Sequence, residues 1–218
     1  MSPPFSAEQF FGAFEAYNTA VWPAQIVLVL LALALTAVAV GRNHQGKLIT
    51  IVLAALWVWM GVAYHWAFFS KINPAARVFG ALFVVEGAIL LWIGLRGEAL
   101  AFRFRTDVAG TVGTLLIVYA LLVYPVLGVL AGHRYPAQPT FGLPCPTTIF
   151  TVGLFLWARE RVPWYALVIP ALWSIVGMSA VRYFGMLEDM ALPLAGVGGG
   201  LLVLLKNRSL QGEAGTVG

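Results

Sequence analysis

The chain has 218 residues, of which 61% are hydrophobic and only 10% are charged, and its mean hydropathy is +0.87. Soluble globular domains carry about 25% charged residues, so this composition excludes an ordinary soluble domain, a disordered chain and a fibrous repeat. The net charge of +4 comes from 13 Lys and Arg residues scattered between apolar segments. That pattern orients a protein in a membrane, so we expect the lipid bilayer as a partner and no nucleic acid.

Apolar segments predict an all-α fold, a polytopic membrane helix bundle of about seven transmembrane helices. We place these helices at residues 22–40, 48–69, 78–94, 108–130, 147–158, 164–181 and 191–205. The fifth is too short to cross a bilayer alone at about 1.5 Å per residue, so it either dips part of the way or is lengthened by residues 141–146. The chain then divides into an N-terminal helix (1–21), a transmembrane helical domain (22–206) and a flexible C-terminal tail (207–218).

The first 21 residues predict an amphipathic helix that lies in the membrane interface. Ser6 and Gln9 have the spacing of a capping box, and Phe5 and Phe10 occupy the positions of a hydrophobic staple. Large apolar residues recur at helical spacing along one face: Phe10, Phe14, Tyr17 and Val21.

The distribution of Lys and Arg predicts an N-out, C-in orientation. The segments that follow the first, third, fifth and seventh spans carry nine of these residues, and the remaining segments carry four. Because basic residues accumulate on the cytoplasmic side, the first group is predicted to face inward. His44 falls in one of these inner segments, where a solvated side chain is expected.

Chemically distinctive residues fall mostly on the predicted outer side. Tyr64 and His65 lie near the outer end of the second span, and Arg134 and Tyr135 follow the fourth span. A histidine at this position suits a metal ligand, a proton relay, a substrate contact or an interfacial belt. We predict these four residues as contacts of a ligand that enters from outside.

Glu86 is the acidic residue that lies well inside a predicted span. A charge at that depth costs about 2.5–3.5 kcal/mol on insertion scales, so it is buried and paired, protonated, or functional. Gly80, Gly87 and Gly94 repeat every seven residues on the same segment and predict a face that another helix approaches closely. We add Glu86 to the predicted ligand-binding residues as a proton or cation partner.

Residues 133–148 (HRYPAQPTFGLPCPTT) contain four prolines and the single cysteine, Cys145. A lone cysteine excludes an intrachain disulfide and a cysteine-held iron–sulfur cluster. Because Cys145 precedes a proline, we predict that it is extended and caps a helix that starts at Pro146, a position that favours a thiolate.

His65, His133 and Cys145 could together hold Zn or Cu, and heme on one or two histidines is an alternative. The sequence does not identify which of these cofactors, if any, the protein binds.

Three segments are similar to a known family. They are PFSAEQFFGAFEAYNTAVWPAQ (4–25), WMGVAYHWAFFSKINPAA (59–76) and HRYPAQPTFGLPCPTTIFT (133–151). They resemble an uncharacterised family of bacterial integral membrane proteins, known only as a domain of unknown function. The resemblance implies a multi-pass protein of the bacterial inner (cytoplasmic) membrane and carries no activity with it.

Three classes of function stay open at this point. The first is a small transporter or binding protein for a small solute or metal ion, and a repeat of Pro-Ala-Gln at 23–25 and 136–138 would fit small carriers with parallel repeats. The second is a membrane redox, metal or heme enzyme that uses Cys145 and the histidines. The third is an accessory subunit of a larger complex or a homo-oligomer, packed through Gly128–Gly132 or Gly196–Gly200. Nucleotide-binding glycine motifs are absent from the sequence.

Overall fold

The computed structural model describes residues 4–41, 45–96 and 100–215, and His44 lies outside these ranges. Helices dominate the described chain, with two isolated β-bridges between connecting segments. The α-helices are α1 (Ala7–Ala20), α2 (Ala24–Val40), α3 (Gly46–Trp59), α4 (Ala76–Leu95), α5 (Val108–Val118), α6 (Tyr124–Leu130), α7 (Pro144–Trp157), α8 (Val168–Phe184), α9 (Ala191–Pro193) and α10 (Gly200–Gly215).

Three of these helices continue into π-helical segments. Met60–Trp66 extends α3, Tyr119–Val123 joins α5 to α6, and Leu194–Gly199 joins α9 to α10. Short 3-10 turns at Phe69–Lys71, Trp164–Leu167 and Leu187–Met190 complete the longer helical stretches.

Five stretches are long and apolar enough to cross a membrane: Gly46–Lys71, Ala76–Leu95, Val108–Leu130, Trp164–Phe184 and Leu187–Gln211. α1 and α2 meet at an angle of 86° and make a sixth candidate when they are taken together. The all-helical class is therefore confirmed, while length and composition support five or six spans and the predicted seven stay a prediction. α10 runs to Gly215, so the predicted tail is helical over its described part.

The shortest apolar helix, α7, forms the centre of the bundle. It has 14 residues, and every one of them except Cys145 is buried. It packs against α5, α8 and α10 and against two π-helical segments, Tyr119–Val123 and Leu194–Gly199. At about 1.5 Å per residue it is about 21 Å long. It is shorter than a bilayer core of about 30 Å, as predicted for the fifth apolar segment.

The carbonyl groups at the end of α7 are satisfied by residues distant in sequence. The buried ammonium group of Lys206 donates to the Phe155 oxygen at 3.1 Å and the Ala158 oxygen at 2.7 Å. The Arg103 amide donates to the Trp157 oxygen at 3.0 Å. A positive charge also suits the negative end of a helix dipole, so the buried end of α7 has partners for the carbonyl oxygens of Phe155, Trp157 and Ala158.

Glycines allow close contact between α3 and α4, as their spacing predicts. A Cβ on Gly61 would lie 2.7 Å from the Gly80 oxygen, and a Cβ on Gly87 would lie 2.9 Å from the Ala54 oxygen. Both distances are too short for a real side chain, so larger residues would separate the two helices. The seam predicted from Gly80, Gly87 and Gly94 is confirmed.

α1 packs across one end of the bundle, which we call the site end. Phe10, Phe14 and Tyr17 are buried there in a cluster with Tyr64 and Phe69. The predicted capping box of Ser6 and Gln9 is present, and the rings of Phe5 and Phe10 stack at 6.0 Å. The position of α1 in a membrane interface stays a prediction.

We expect Lys206→Met to lower the free energy of unfolding by about 1–3 kcal/mol, because two carbonyl acceptors at the end of α7 lose a charged donor. Denaturation of the purified protein in detergent measures the effect. Arg208→Met is the matched control, since Arg208 is exposed on the same helix. Equal stability of the two variants would contradict the assigned role of Lys206.

Candidate functional site

A cavity of about 80 Å³ lies at the site end between α1, α7 and α8. This volume accommodates several water molecules or a small ligand. Nine of its twenty lining residues are aromatic: Phe5, Phe10, Phe14, Tyr64, Phe69, Phe79, Tyr124, Trp173 and Phe184. Pro144, Cys145 and Pro146, at the start of α7, also line the cavity.

Asp189 is the acidic residue of this aromatic cavity. Its side chain lines the cavity and is 1% exposed. The Tyr124 hydroxyl donates to Asp189 Oδ1 at 2.6 Å, and the Cys145 thiol lies next to the same carboxyl group. Among the described residues, the lining contains this one acidic side chain and no Lys, Arg or His. When it is ionised, this carboxyl group can pair with a cation, and the described lining holds no basic side chain that could pair with an anion.

Cys145 lies inside α7 and not before it, which corrects the predicted helix start. The helix begins at Pro144, with Leu143 as its N-cap. Prolines fit the first turn because the amide groups there have no intrahelical acceptor, so both Pro144 and Pro146 are accommodated. Reactive thiolates occur beside Lys, Arg or protonated His, whereas the neighbour of Cys145 is a carboxyl group.

His133 and Glu188 form a partly buried pair beside the cavity. Nδ1 of His133 lies 2.8 Å from Glu188 Oε1, and the Tyr119 hydroxyl donates to the Glu188 backbone oxygen at 2.8 Å. A Cβ on Gly128 would lie 3.1 Å from Glu188 Oε1. Gly128 thus gives room to a carboxyl group of the same chain. No atom of the described chain lies within 4 Å of a Cβ on Gly132. The predicted packing of Gly128–Gly132 against another chain or subunit therefore stays a prediction.

His65 is completely buried in a group of aromatic rings. The centroid of its ring lies 4.8 Å from that of Phe83 and 5.1 Å from that of Trp173, and neither ring nitrogen has a hydrogen-bond partner within the described structure. Trp173 separates His65 from the cavity that it was predicted to line.

The three predicted metal ligands do not come together. His65 is enclosed by aromatic rings, His133 pairs with Glu188, and Cys145 adjoins Asp189. In the ranges that the structure covers, no group of three His, Cys, Asp or Glu residues is arranged to hold a metal ion.

The other predicted ligand contacts are dispersed. Tyr64 lines the cavity and stacks on Phe14 with ring centroids 5.9 Å apart. Arg134 and Tyr135 are exposed. Glu86 is fully buried on α4, and both of its carboxyl oxygens lack a partner among the described residues. Of the predicted contacts, Tyr64 alone is part of the cavity wall.

Asn18 connects the two Pro-Ala-Gln segments at the site end. It is fully buried, and its amide group donates to the backbone oxygens of Pro136 (2.7 Å) and Gln138 (2.8 Å). Its side-chain oxygen accepts from Thr140 at 2.8 Å, and Gln25 Nε2 donates to its backbone oxygen at 2.6 Å. One polar side chain of α1 therefore fixes the non-helical segment that leads into α7.

Sequence reasoning missed Asp189, Tyr124, Trp173 and Asn18 as site residues. A signal for Asp189 was present, because Glu188 and Asp189 are adjacent acids at the start of the last apolar segment. The π-helical segments that contain Tyr64 and precede Tyr124 also lie in this half of the bundle, and such segments are frequent at functional sites.

These features define a class of protein: an all-helical bundle with five or six helices able to cross a membrane and an acidic, aromatic cavity at one end. The chain belongs to the DUF6064 family, a family of unknown function, which it matches over residues 7–214. The expectation of an uncharacterised family is thereby confirmed. No curated protein and no solved structure matches the chain.

We expect Asn18→Ala to lower the free energy of unfolding by at least about 2 kcal/mol, because it leaves several buried polar groups without partners. Thermal unfolding in detergent measures the loss. Asn73→Ala is the control, since Asn73 accepts a single exposed hydrogen bond from the Ala75 amide at 3.1 Å. If the two variants unfold together, Asn18 does not anchor the segment before α7.

Proposed function

We propose that this is a multi-pass membrane protein that binds a small organic cation, such as a short alkylamine, in the cavity at the site end. The observation that carries the proposal is the wall of aromatic rings around the buried Asp189, without a basic residue among the described lining. Aromatic faces attract ammonium groups, and more strongly when water is excluded. A carboxylate supplies the charge-assisted hydrogen bond that orients such a group.

The proposal places the cavity on the extracytoplasmic side of the bacterial inner membrane. The support is the excess of Lys and Arg in the segments at the other end of the bundle. α1 then lies in the outer interface, with its acidic residues exposed and its phenylalanines over the cavity. A cationic solute would meet the acidic face of α1 before it reaches Asp189.

Two buried polar side chains beyond the cavity, His65 and Glu86, favour transport of the bound cation over simple binding. Trp173 lines the cavity, the buried His65 packs on Trp173, and both contact Phe83. Glu86 follows Phe83 by three residues, which places the two on the same face of α4. Unpartnered polar groups at this depth mark solute or proton paths in membrane proteins, so we assign Glu86 as the inner cation or proton partner.

We expect alkylamines from methylamine to butylamine to stabilise the purified protein in lipid nanodiscs, with a saturable shift in its unfolding temperature. Alcohols of the same length lack the charge and should have little effect. Asp189→Asn should weaken amine binding by at least about tenfold, because it removes a charged hydrogen-bond partner. Ala180→Leu, which narrows the cavity without altering the carboxylate, should weaken it as well.

Asp107→Asn is the matched control for the loss of a carboxylate. A hydrogen bond from Arg105 lowers the pKa of Asp107, so this residue is ionised at neutral pH. It caps α5 and does not line the cavity. If Asp189→Asn binds amines as tightly as Asp107→Asn does, or if alcohols bind as well as amines, the proposed function is wrong.

A further inference from the structure

A second concave surface, distinct from the cavity, lies on the other side of Tyr124. This side groove runs between α2 and the π-helical segment Tyr119–Val123 and has a volume of about 250 Å³. Its apolar wall includes Ile26, Val29 and Leu121. The rings of Trp22 and Tyr135 flank it, both about half exposed, with centroids 6.2 Å apart. Aromatic residues of this kind concentrate at the level of lipid head groups.

The side groove contains a buried acceptor without a donor. Gln25 is 6% exposed, and its Nε2 donates to the Asn18 backbone oxygen at 2.6 Å. This hydrogen bond fixes the orientation of the carboxamide, so Oε1 is identified by its environment. Oε1 has no partner within the described residues, and neither has the buried Oε1 of Gln138 on the same wall. An unpaired acceptor in this setting is costly, so a donor from outside the chain that reaches these oxygens, whether water or a larger ligand, gains hydrogen bonds.

The hydroxyl groups along the side groove do not fill this role. Tyr124 donates to Asp189, Tyr135 donates to the Asn18 backbone oxygen at 3.4 Å, and Thr140 donates to Asn18 Oδ1 at 2.8 Å. Within the described part of the chain, the groove lining contains no charged side chain. Recognition here therefore depends on neutral acceptors and apolar contact, and not on a salt bridge to a phosphate group.

We infer that the side groove is a lipid site that selects a phospholipid whose head group carries N–H donors, as phosphatidylethanolamine does. The ammonium group donates to the oxygens of Gln25 and Gln138. One acyl chain lies along Ile26, Val29 and Leu121. Trp22 and Tyr135 lie beside the head group, where their rings also attract its positive charge. This site is separate from the amine cavity and does not depend on the function proposed for it.

Native mass spectrometry of the purified protein tests this inference by titration with phosphatidylethanolamine and phosphatidylcholine of identical acyl chains. Both head groups are zwitterionic, but the choline head group has no N–H donor. We expect the ethanolamine lipid to bind at least about tenfold more tightly, the effect of a charge-assisted hydrogen bond. Equal binding of the two lipids would overturn the inference.

Two variants locate the selectivity. Gln25→Leu removes the acceptor. Ile26→Trp fills the side groove without altering any hydrogen bond in the Gln25–Asn18 network. This second variant tests the site if the Gln25→Leu protein fails to fold. Both should bind the two lipids equally, while the control Gln211→Leu, at an exposed position, should keep the preference. Retention of the full preference by a folded Gln25→Leu or Ile26→Trp protein would overturn the site. Asp189→Asn should lose amine binding and keep lipid selectivity, which separates the two proposals.

Discussion

The structure depends on the burial of a short helix whose ends must both be hydrogen-bonded inside the bundle. Within a membrane an unpaired backbone group costs several kcal/mol, and α7 has carbonyl groups at one end and a non-helical entry at the other. Lys206 satisfies the carbonyl end, and Asn18 fixes the segment that enters at Pro144. The cavity lies at the first turn of this short helix, where Pro144, Cys145 and Pro146 line it.

The same constraint accounts for the chemistry of the cavity. The start of α7 brings Cys145 next to Asp189, and Asp189 is held by the Tyr124 hydroxyl. α1 closes the space above with phenylalanines, of which Phe10 stacks on Phe184 at 4.3 Å. A carboxylate under aromatic rings is suited to a cation that carries its own apolar surface. In the proposed function, such a ligand would contact the carboxyl group and the rings at the same time.

Local and periodic features could be predicted from the sequence, and pairings between distant residues could not. The Ser6–Gln9 capping box and the close approach of α3 to the Gly80 and Gly87 face follow from spacing within one helix or one repeating face. The pairing of His133 with Glu188 joins residues 55 positions apart, and no local pattern encodes it. The predicted metal ligands His65, His133 and Cys145 do not meet for the same reason. The sequence indicates that residues lie at the same end of the bundle, but the packing of the helices decides which side chains are in contact. The helix start at Pro144 was missed because the extended conformation of a residue before proline is a tendency and not a requirement, and Cys145 departs from it in the first turn of α7.

Reactivity of the single cysteine tests the central claim most directly. Two methanethiosulfonate reagents of similar size, one with a trimethylammonium group and one with a sulfonate group, are applied from each side of oriented vesicles. An outward cavity with Asp189 and no basic lining residue predicts that Cys145 reacts from the extracytoplasmic side, and at least about tenfold faster with the cationic reagent. Equal rates, a faster reaction with the sulfonate, or modification from the cytoplasmic side alone would contradict a cation-selective cavity that opens outward.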